Sequence, residues 1–255
     1  MLDPILASVR RRLDDVVGAE GALRAAVAEL PPARDFAAAL SGPGLGLIAE
    51  FKRRSPSAGP IAEEAVVEDR VAVYEAGGAS AVSVLTEPDH FGGSLDDLRA
   101  AVSASGLPVL RKDFVLHPAQ IWEARAAGAD AVLLIVAALS DGELLRLAGT
   151  AAAAGLAALV EVHTEDEARR ARDAGAALIG VNNRDLATFR VDLATAERLR
   201  ALLPVDAVTV AESGVSDPAG AARMAEAGYD AVLVGEALMR TGDPGDLLQR
   251  LRGVR

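Results

Sequence analysis

The chain has 255 residues, of which 51% are apolar, with a net charge of −11 and no cysteine. The apolar fraction is ample for a large folded core and excludes wholesale disorder, while the acidic balance argues against a nucleic-acid or anionic-membrane surface. The lack of cysteine excludes disulfides, a thiol nucleophile and Cys-ligated zinc.

The composition carries two further signals. The longest apolar runs, at 131–139 and 151–160, fall short of the roughly 18 residues that a membrane-spanning helix needs, and an apolar start followed by three arginines reverses the order of a secretory signal. The sequence therefore predicts a soluble, cytoplasmic protein.

Only Lys52 and Lys112 are lysines and only Asn182 and Asn183 are asparagines. We interpret this bias as the mark of a GC-rich genome, which makes the four exceptions informative.

Residues 1–46 are predicted to form helices ahead of the first strand. Asp3 followed by Pro4 is typical of a helix start. Three arginines at 10–12 are expected on a solvated helix face, and the proline pair at 31–32 is expected to restart a second helix through residue 40. We expect this extension to cover part of the main domain. Apolar residues recur in it at helical spacing: Leu2, Leu6, Val9, Leu13 and Val16.

A phrase that joins Ala-Gly to a short apolar run recurs four times after this extension. In each copy we predict that a helix ends, that a glycine takes the left-handed C-cap conformation, and that a strand begins. The copies lie about 50 residues apart, which is too long for one strand and one helix, so another strand is predicted between them. The copies are AGGASAVSVL at 76, AGADAVLLIV at 127, AGAALIGVNN at 174 and AGYDAVLVGE at 227; the further strands are LIAEF at 47, PVLRKDF at 108, LAALVEV at 156 and DAVTVAES at 206.

Eight near-continuous apolar strands with helical crossovers predict an α/β protein with a parallel sheet. At this length they most simply close into a single (β/α)8 TIM barrel spanning 47–255, with residues 1–46 as an N-terminal helical extension. No composition break marks a linker, so one domain is predicted. An open doubly wound sheet is the weaker alternative, because no Gly-x-Gly-x-x-Gly follows the first strand.

Polar residues stand at the C-terminal ends of the predicted strands. Side chains alternate along a strand, and in five strands the face that starts apolar ends polar. The carboxyl ends of a parallel barrel meet at one mouth, where barrel enzymes have their active sites. One charged residue at a strand end is usually solvated at the rim, but six polar residues at matching depth favour an active site. The six are Glu50, Lys52, Lys112, Glu161, Asn182 and Glu212.

Two neighbours of Lys112 have the opposite parity. Arg111 and Asp113 are therefore predicted to point between the barrel and its helices and to meet other polar groups there. Lys112 alone is expected to face the mouth. In a chain that uses arginine almost everywhere, the lysine suggests a group that must lose its proton, which guanidinium does not do.

Glycines in the loops after strands seven and eight predict a phosphate site. Ser213 and Gly214 follow strand seven, and Ser216-Asp217-Pro218 then opens a helix; Gly235 follows strand eight at the start of a short helix. These two loops form the usual phosphate site of a barrel.

The remaining candidates give weaker signals. His163 could ligate a metal, but no second histidine stands at a neighbouring strand end, so no metal is predicted. Phe91 and Phe114 follow strand ends, where walling an aromatic substrate and core packing are equally supported. Trp122, in a predicted helix, is expected to pack.

Seven segments of this sequence together resemble the indole-3-glycerol phosphate synthase family over essentially the whole chain. The segments are LIAEFKRRSPS at 47, FGGS at 91, VLRKDF at 109, LVEVH at 159, GVNNRDL at 180, AESGV at 211 and LVGEALM at 233. The resemblance implies a lyase of tryptophan biosynthesis that converts 1-(2-carboxyphenylamino)-1-deoxyribulose 5-phosphate into indole-3-glycerol phosphate. It also implies release of carbon dioxide and water without a metal or cofactor.

The resemblance further implies residue roles. Lys112 would be the general acid on the substrate carbonyl, and Glu161 the acid/base of the later dehydration. Glu50, Lys52 and Asn182 would position and polarise the reacting centre. Glu236 stands where some members of the family carry serine, and backbone donation from that position does not depend on the side chain. The implied substrate-binding residues are Ser55, Phe91, Phe114, Arg184, Glu212, Ser213, Gly214, Gly235 and Glu236.

The chemistry accounts for the same residues independently. When an electron-rich aryl carbon attacks a ketone, negative charge develops on the ketone oxygen, which a protonated amine can neutralise and protonate.

Two alternative functions are compatible with the same fold. An isomerase or aldolase acting on another sugar phosphate is one, since a Schiff-base aldolase also needs a lysine at a strand end. A non-catalytic barrel is the other, and the full polar ring argues against it.

Overall fold

Eight parallel strands close into a barrel in the computed structural model, which describes residues 2–254. Each strand is hydrogen-bonded to its neighbours in chain order, and β8 pairs with β1 to close the ring. All eight predicted strands are present. They are β1 (Gly46–Phe51), β2 (Ala81–Leu85), β3 (Val109–Lys112), β4 (Ala131–Ile135), β5 (Ala157–Val162), β6 (Leu178–Asn182), β7 (Val208–Glu212) and β8 (Ala231–Val234).

Helices surround the barrel and precede it. A two-stranded hairpin, Arg54–Ser55 with Gly59–Pro60, lies in the loop after β1. Among residues 2–254 no helix is long and apolar enough to cross a membrane. The helices are α1 (Leu2–Arg11), α2 (Leu13–Ala28), α3 (Phe36–Leu40), α4 (Val67–Ala76), α5 (Pro88–Phe91), α6 (Leu95–Ala104), α7 (Pro118–Ala126), α8 (Asp141–Ala153), α9 (Glu165–Asp173), α10 (Ala194–Arg200), α11 (Pro218–Glu226), α12 (Glu236–Arg240) and α13 (Pro244–Arg252).

The four repeated Ala-Gly phrases end helices as predicted. Gly78, Gly128, Gly175 and Gly228 all have positive φ, between 72° and 93°. In the first copy the second glycine takes this conformation. An L-residue with a side chain rarely adopts such a φ, so glycine lets the chain leave a helix and turn directly into the next strand.

The barrel has two apolar layers because strand side chains alternate. One set fills the interior, and the other packs between the strands and the surrounding helices. Ile48, Leu110, Leu159 and Val210 belong to the interior set and are fully buried. Each lies two residues before a polar residue of the mouth, so the parity argument holds in the structure.

The start of the extension differs from its prediction. α1 begins at Leu2, so Asp3 lies in the first turn and is not the N-cap, and the helix breaks before α2 at Arg12. Arg12 Nη2 donates to the fully buried carboxylate of Glu87 at 3.1 Å. The expectation that residues 10–12 only form a solvated face is therefore wrong for Arg12, because a distant buried charge binds it.

The predicted helix from residue 31 is also wrong in its start. Residues 31–35 are irregular, and α3 begins at Phe36, where the side chain of Asp35 accepts from the backbone N–H of Ala38. Asp130, a buried residue just before β4, accepts from the backbone N–H of Arg34 within this segment at 2.8 Å and pairs with its guanidinium. This contact ties the irregular segment to the barrel, and α3 then places Phe36 and Leu40 against the interior core.

Asp130 should therefore hold the extension on the barrel. It also accepts from the backbone N–H of Val109 at 2.8 Å, and it is 3% exposed. We expect Asp130→Asn to lower the free energy of unfolding by roughly 2–4 kcal/mol, because it leaves Arg34 without its charge partner. Asp141→Asn is the control, since Asp141 pairs with Arg170 while 77% exposed, and should change stability by less than about 0.5 kcal/mol. Equal effects in urea denaturation would contradict this assignment.

Candidate active site

A cavity of about 580 Å³ opens at the C-terminal ends of the strands. The structure brings all six predicted polar side chains to its wall, and the other predicted site residues line it as well. Those others are Ser55, Phe91, Phe114, Arg184, Ser213, Gly214, Gly235 and Glu236. The convergence follows from parity, because each of these strands ends at the same rim.

Lys112 lies between two carboxylates. Its Nζ donates to Glu212 Oε2 at 2.7 Å and to Glu161 Oε2 at 3.1 Å. Burial disfavours the ammonium, but the charges of Glu212 and Glu161 outweigh it and raise the pKa of Lys112 above its ordinary value. Lys112 is therefore a charged proton donor in the resting site.

The two carboxyl groups beside Lys112 differ in their protonation. Burial alone would raise the pKa of Glu161, but Lys112 and then His163 hold that pKa below its usual range. Burial raises the pKa of Glu212 to about 7; Lys112 opposes this shift, and the charge of Glu161 adds to it. Near neutral pH Glu161 is thus ionised while Glu212 is partly protonated, a division typical of an acid and a base that share one site.

Glycine makes room for Glu212. Gly180 lies on β6 next to β7, and a Cβ atom at that position would overlap Glu212 Oε1. The space that the Glu212 side chain needs therefore explains why position 180 is a glycine, which the strand pattern alone did not reveal.

Lys52 and Glu50 form a second charged pair at the mouth. Lys52 Nζ donates to Glu50 Oε1 at 2.6 Å, and the Glu50 side chain is 3% exposed. Gly235, in the loop after β8, lies directly against this carboxylate, since a Cβ there would overlap Glu50 Oε1. The pair therefore lies beside the predicted phosphate loop.

The wall behind Lys112 is polar as predicted. The Arg111 guanidinium donates to Asp113, to Glu123 and to the Thr86 hydroxyl, all within 3.1 Å. Asp113 Oδ1 accepts from the backbone N–H of Phe114 at 2.8 Å. This network fixes the end of β3 on the helix side and leaves Lys112 facing the cavity.

The loops after β7 and β8 have the backbone shapes that the phosphate prediction needs. Ser213 and Gly214 have φ of 62° and 91°, and Gly235 immediately precedes α12. Asn183 Nδ2 donates to the Ser213 carbonyl at 3.1 Å, which supports the unusual backbone of that serine. Glu236 pairs with Arg240 at 2.9 Å on α12.

Aromatic side chains form another part of the wall. The rings of Phe91 and Phe114 lie 6.2 Å apart at 39°, and both line the cavity. Trp122 lies elsewhere: it is 8% exposed in α7, with the Arg24 guanidinium 5.1 Å above its ring. Its predicted packing role is confirmed.

Within residues 2–254 no group of three or more His, Cys, Asp or Glu side chains is arranged to hold a metal ion. His163 instead meets two carboxylates, with Nε2 3.3 Å from Glu161 Oε1 and Nδ1 3.2 Å from Glu167 Oε2. Both ring nitrogens of His163 therefore lie against carboxylates of the protein.

Sequence reasoning missed several residues of the site. Asn183 supports Ser213, and its rarity in the chain was the available signal. Arg240 lines the cavity, but nothing in the sequence distinguishes it from other helical arginines. Leu2 and Ile5 of α1 also line the cavity, so the extension covers part of the barrel as predicted, and the structure adds that this cover lies at the mouth.

Comparisons with known proteins give a consistent answer. A sequence model of the indole-3-glycerol phosphate synthase family matches residues 2–251. Indole-3-glycerol phosphate synthase 2 of Streptomyces coelicolor is 51% identical over 98% of this chain and 99% of its own length. The Rhodococcus opacus indole-3-glycerol phosphate synthase is 51% identical over 96% and 91%. Among solved structures, 3-hexulose-6-phosphate synthase shares the fold, with a TM-score of 0.62 at 18% identity over 83% of this chain and all of that one.

The space at Gly180 can be tested by filling it. We expect Gly180→Ala to push the Glu212 carboxylate away from Lys112, and to lower the free energy of unfolding by about 1–3 kcal/mol through overpacking. A crystal structure should show that the 2.7 Å contact has lengthened. Gly149→Ala is the control, because open space surrounds that helical glycine, and it should stabilise α8 by up to about 1 kcal/mol. An intact Lys112–Glu212 contact in Gly180→Ala would refute the steric role.

Proposed function

The chain belongs to the indole-3-glycerol phosphate synthase family, and from that membership we propose how the residues of the mouth divide the work of its reaction. The protein is a carboxy-lyase of tryptophan biosynthesis, which closes the indole ring of 1-(2-carboxyphenylamino)-1-deoxyribulose 5-phosphate with loss of carbon dioxide and water. We place it in the cytoplasm, acting as one barrel domain on a free small-molecule substrate. The observation that carries the proposal is the Lys112 ammonium held between two buried carboxylates at the mouth.

The phosphate of the substrate would bind at the loops after β7 and β8. Ser213 and Gly214, both of positive φ, line the cavity beside Gly235, and the first turn of α12 offers N–H groups without helical partners. Lys52 adds positive charge nearby. Glu236 does not oppose the phosphate with a free charge, because Arg240 pairs with it.

The aromatic end of the substrate would then lie against Phe91 and Phe114, whose tilted rings suit a third ring between the loops after β2 and β3. Arg184, which lines the cavity, is a cation available to the substrate carboxylate. Holding both ends fixes the ketone carbon near the aryl carbon that must attack it, which converts binding energy into proximity.

Lys112 would act first. As the aryl carbon bonds to the ketone carbon, negative charge develops on the ketone oxygen, and the ammonium neutralises and protonates it. Glu161 and Glu212 keep the amine protonated until that moment. Lys52 and Glu50, together with Asn182, would position and polarise the same centre.

The later steps need two different carboxyl groups. The carboxylate leaves as carbon dioxide, and its bonding electrons restore the aromatic ring. The former ketone oxygen then departs as water, which requires a second proton, while the neighbouring methylene carbon gives one up. Glu161, ionised in the resting site, is the base for that carbon, and Glu212, with its pKa raised to about 7, is a source of the second proton. Each turnover consumes one proton overall.

The charge state of Lys112 also separates this reaction from a Schiff-base aldolase. Imine formation needs a neutral amine, which enzymes obtain by lowering the lysine pKa. Here the two carboxylates raise it. The geometry therefore favours an acid over a nucleophile at this position.

Replacing Lys112 with arginine tests its role as an acid. Lys112→Arg keeps the charge but removes the transferable proton, so we expect kcat to fall by on the order of 10²–10⁴-fold with a much smaller change in KM. Turnover of the carboxyphenylamino-deoxyribulose phosphate is followed by indole absorbance and fluorescence. Arg99→Lys, on an exposed helix face, is the matched control and should leave the rate unchanged.

Near-normal turnover in Lys112→Arg would show that the position supplies only positive charge. Borohydride trapping of a substrate adduct on Lys112 of the wild-type protein would point to a Schiff base. A wild-type protein that forms no indole product would refute the proposed function itself.

A further inference from the structure

His163 is a buried titratable group that the reaction described above does not use. It follows β5 directly, its side chain is 8% exposed, and it does not line the cavity formed by the described residues. Its Nε2 lies 3.3 Å from Glu161 Oε1, a charge contact without the geometry of a hydrogen bond, whereas Lys112 contacts the other oxygen, Oε2. The Glu161 carboxylate thus lies between an ammonium and an imidazole.

Glu167 holds the histidine from the far side. Its Oε2 accepts from the backbone N–H of His163 at 2.7 Å and lies 3.2 Å from the ring Nδ1. Glu167 itself stands in the first turn of α9, where its backbone N–H donates to the capping hydroxyl of Thr164. Both the backbone and the ring of His163 are therefore fixed by one carboxylate, so the direction of Nε2 toward Glu161 is set by the start of α9.

We propose that His163, clamped by Glu167, is a positioning residue for Glu161: it holds one carboxylate oxygen from behind and directs the other toward Lys112 and the substrate. The inference rests on the proposed role of Glu161 as the base of the dehydration. His163 does not touch the substrate in this account.

The surrounding charges support this role. Burial would lower the pKa of His163, but the close contacts of its ring with the Glu161 and Glu167 carboxylates and their negative charge raise it to about 10. The ring is then an imidazolium near neutral pH. The charged groups that face it are Glu161 on β5, Glu167 on α9 and Asp185 in the segment after β6; Lys112 lies beyond Glu161.

Removing the positive charge of His163 should change the pKa of Glu161 in a predictable direction. A positive charge beside Glu161 lowers its pKa, so removing the charge raises that pKa and reduces the ionised fraction at low pH. Ionised Glu161 is the active base, so the acidic limb of the kcat profile should move to higher pH. KM should change little, because the substrate-binding groups are untouched.

The test compares His163→Gln with two other variants across the pH range. We expect His163→Gln to move the acidic limb of kcat upward by about one pH unit, a roughly tenfold loss at low pH that recovers as pH rises, with KM within about twofold. Glu167→Gln should move it by less in the same direction, because the histidine stays but its charge is less favoured. His90→Gln is the matched control: His90 also meets a glutamate, Glu87, at 3.3 Å, but neither lines the cavity, so its profile should be unchanged.

A uniform loss of kcat at every pH, or an unshifted profile, would overturn the proposal and leave His163 a structural residue. Thermal unfolding of each variant shows whether it is folded. If His163→Gln does not fold, the pH profile of Glu167→Gln tests the proposal instead.

A second readout does not depend on turnover. The chain has three histidines, and their NMR titration should show one, absent in His163→Gln, that titrates far above the ordinary pKa of about 6.5. If the wild-type protein makes no indole product, the proposed function fails while this titration still tests the clamp.

Discussion

A buried ammonium needs compensating charges, and the site is organised around that need at Lys112. Glu161 and Glu212 supply the charges from strands that are not adjacent to β3 in the sheet, so only a closed barrel brings the three groups together. The inward side chains of alternate strands share a layer in barrels of this kind. Here Glu50, Lys112, Glu161 and Glu212 come from β1, β3, β5 and β7.

The residues around this layer provide both the charges and the space that its carboxylates need. Each carboxylate has a cation beside it, and the different surroundings drive the pKa of Glu161 down while the pKa of Glu212 rises. Two glycines, Gly180 and Gly235, leave the volume that the carboxylates of Glu212 and Glu50 occupy. In the proposed mechanism, acid and base therefore come from one strand-end pattern, with burial and neighbours deciding which carboxyl holds a proton.

The barrel and the members of its mouth could be predicted because they follow from local rules. Strand alternation places Lys112 inward and Arg111 outward whatever the rest of the chain does, and the repeated Ala-Gly phrase marks each strand start. The wrong predictions concern the helices of the extension, where the chain is bound by residues that are distant in the sequence. Glu87 binds Arg12, where the first helix ends, and Asp130 binds Arg34 in the irregular segment before Phe36; both carboxylates lie some 70 to 100 residues away in sequence. The partners of Lys112 were likewise beyond the sequence, because closure of the barrel brings the ends of β3, β5 and β7 together.

The protonation of Lys112 in the resting protein is the most direct test of this account. Because the chain contains only two lysines, isotope-labelled lysine gives two side-chain NMR signals, and Lys52→Arg assigns them. The account predicts that the Lys112 ammonium persists well past the ordinary lysine pKa of roughly 10.4. A Lys112 that instead loses its proton near pH 7–8, as a lysine dominated by desolvation does, would contradict the central role of the two carboxylates and would favour a nucleophilic amine.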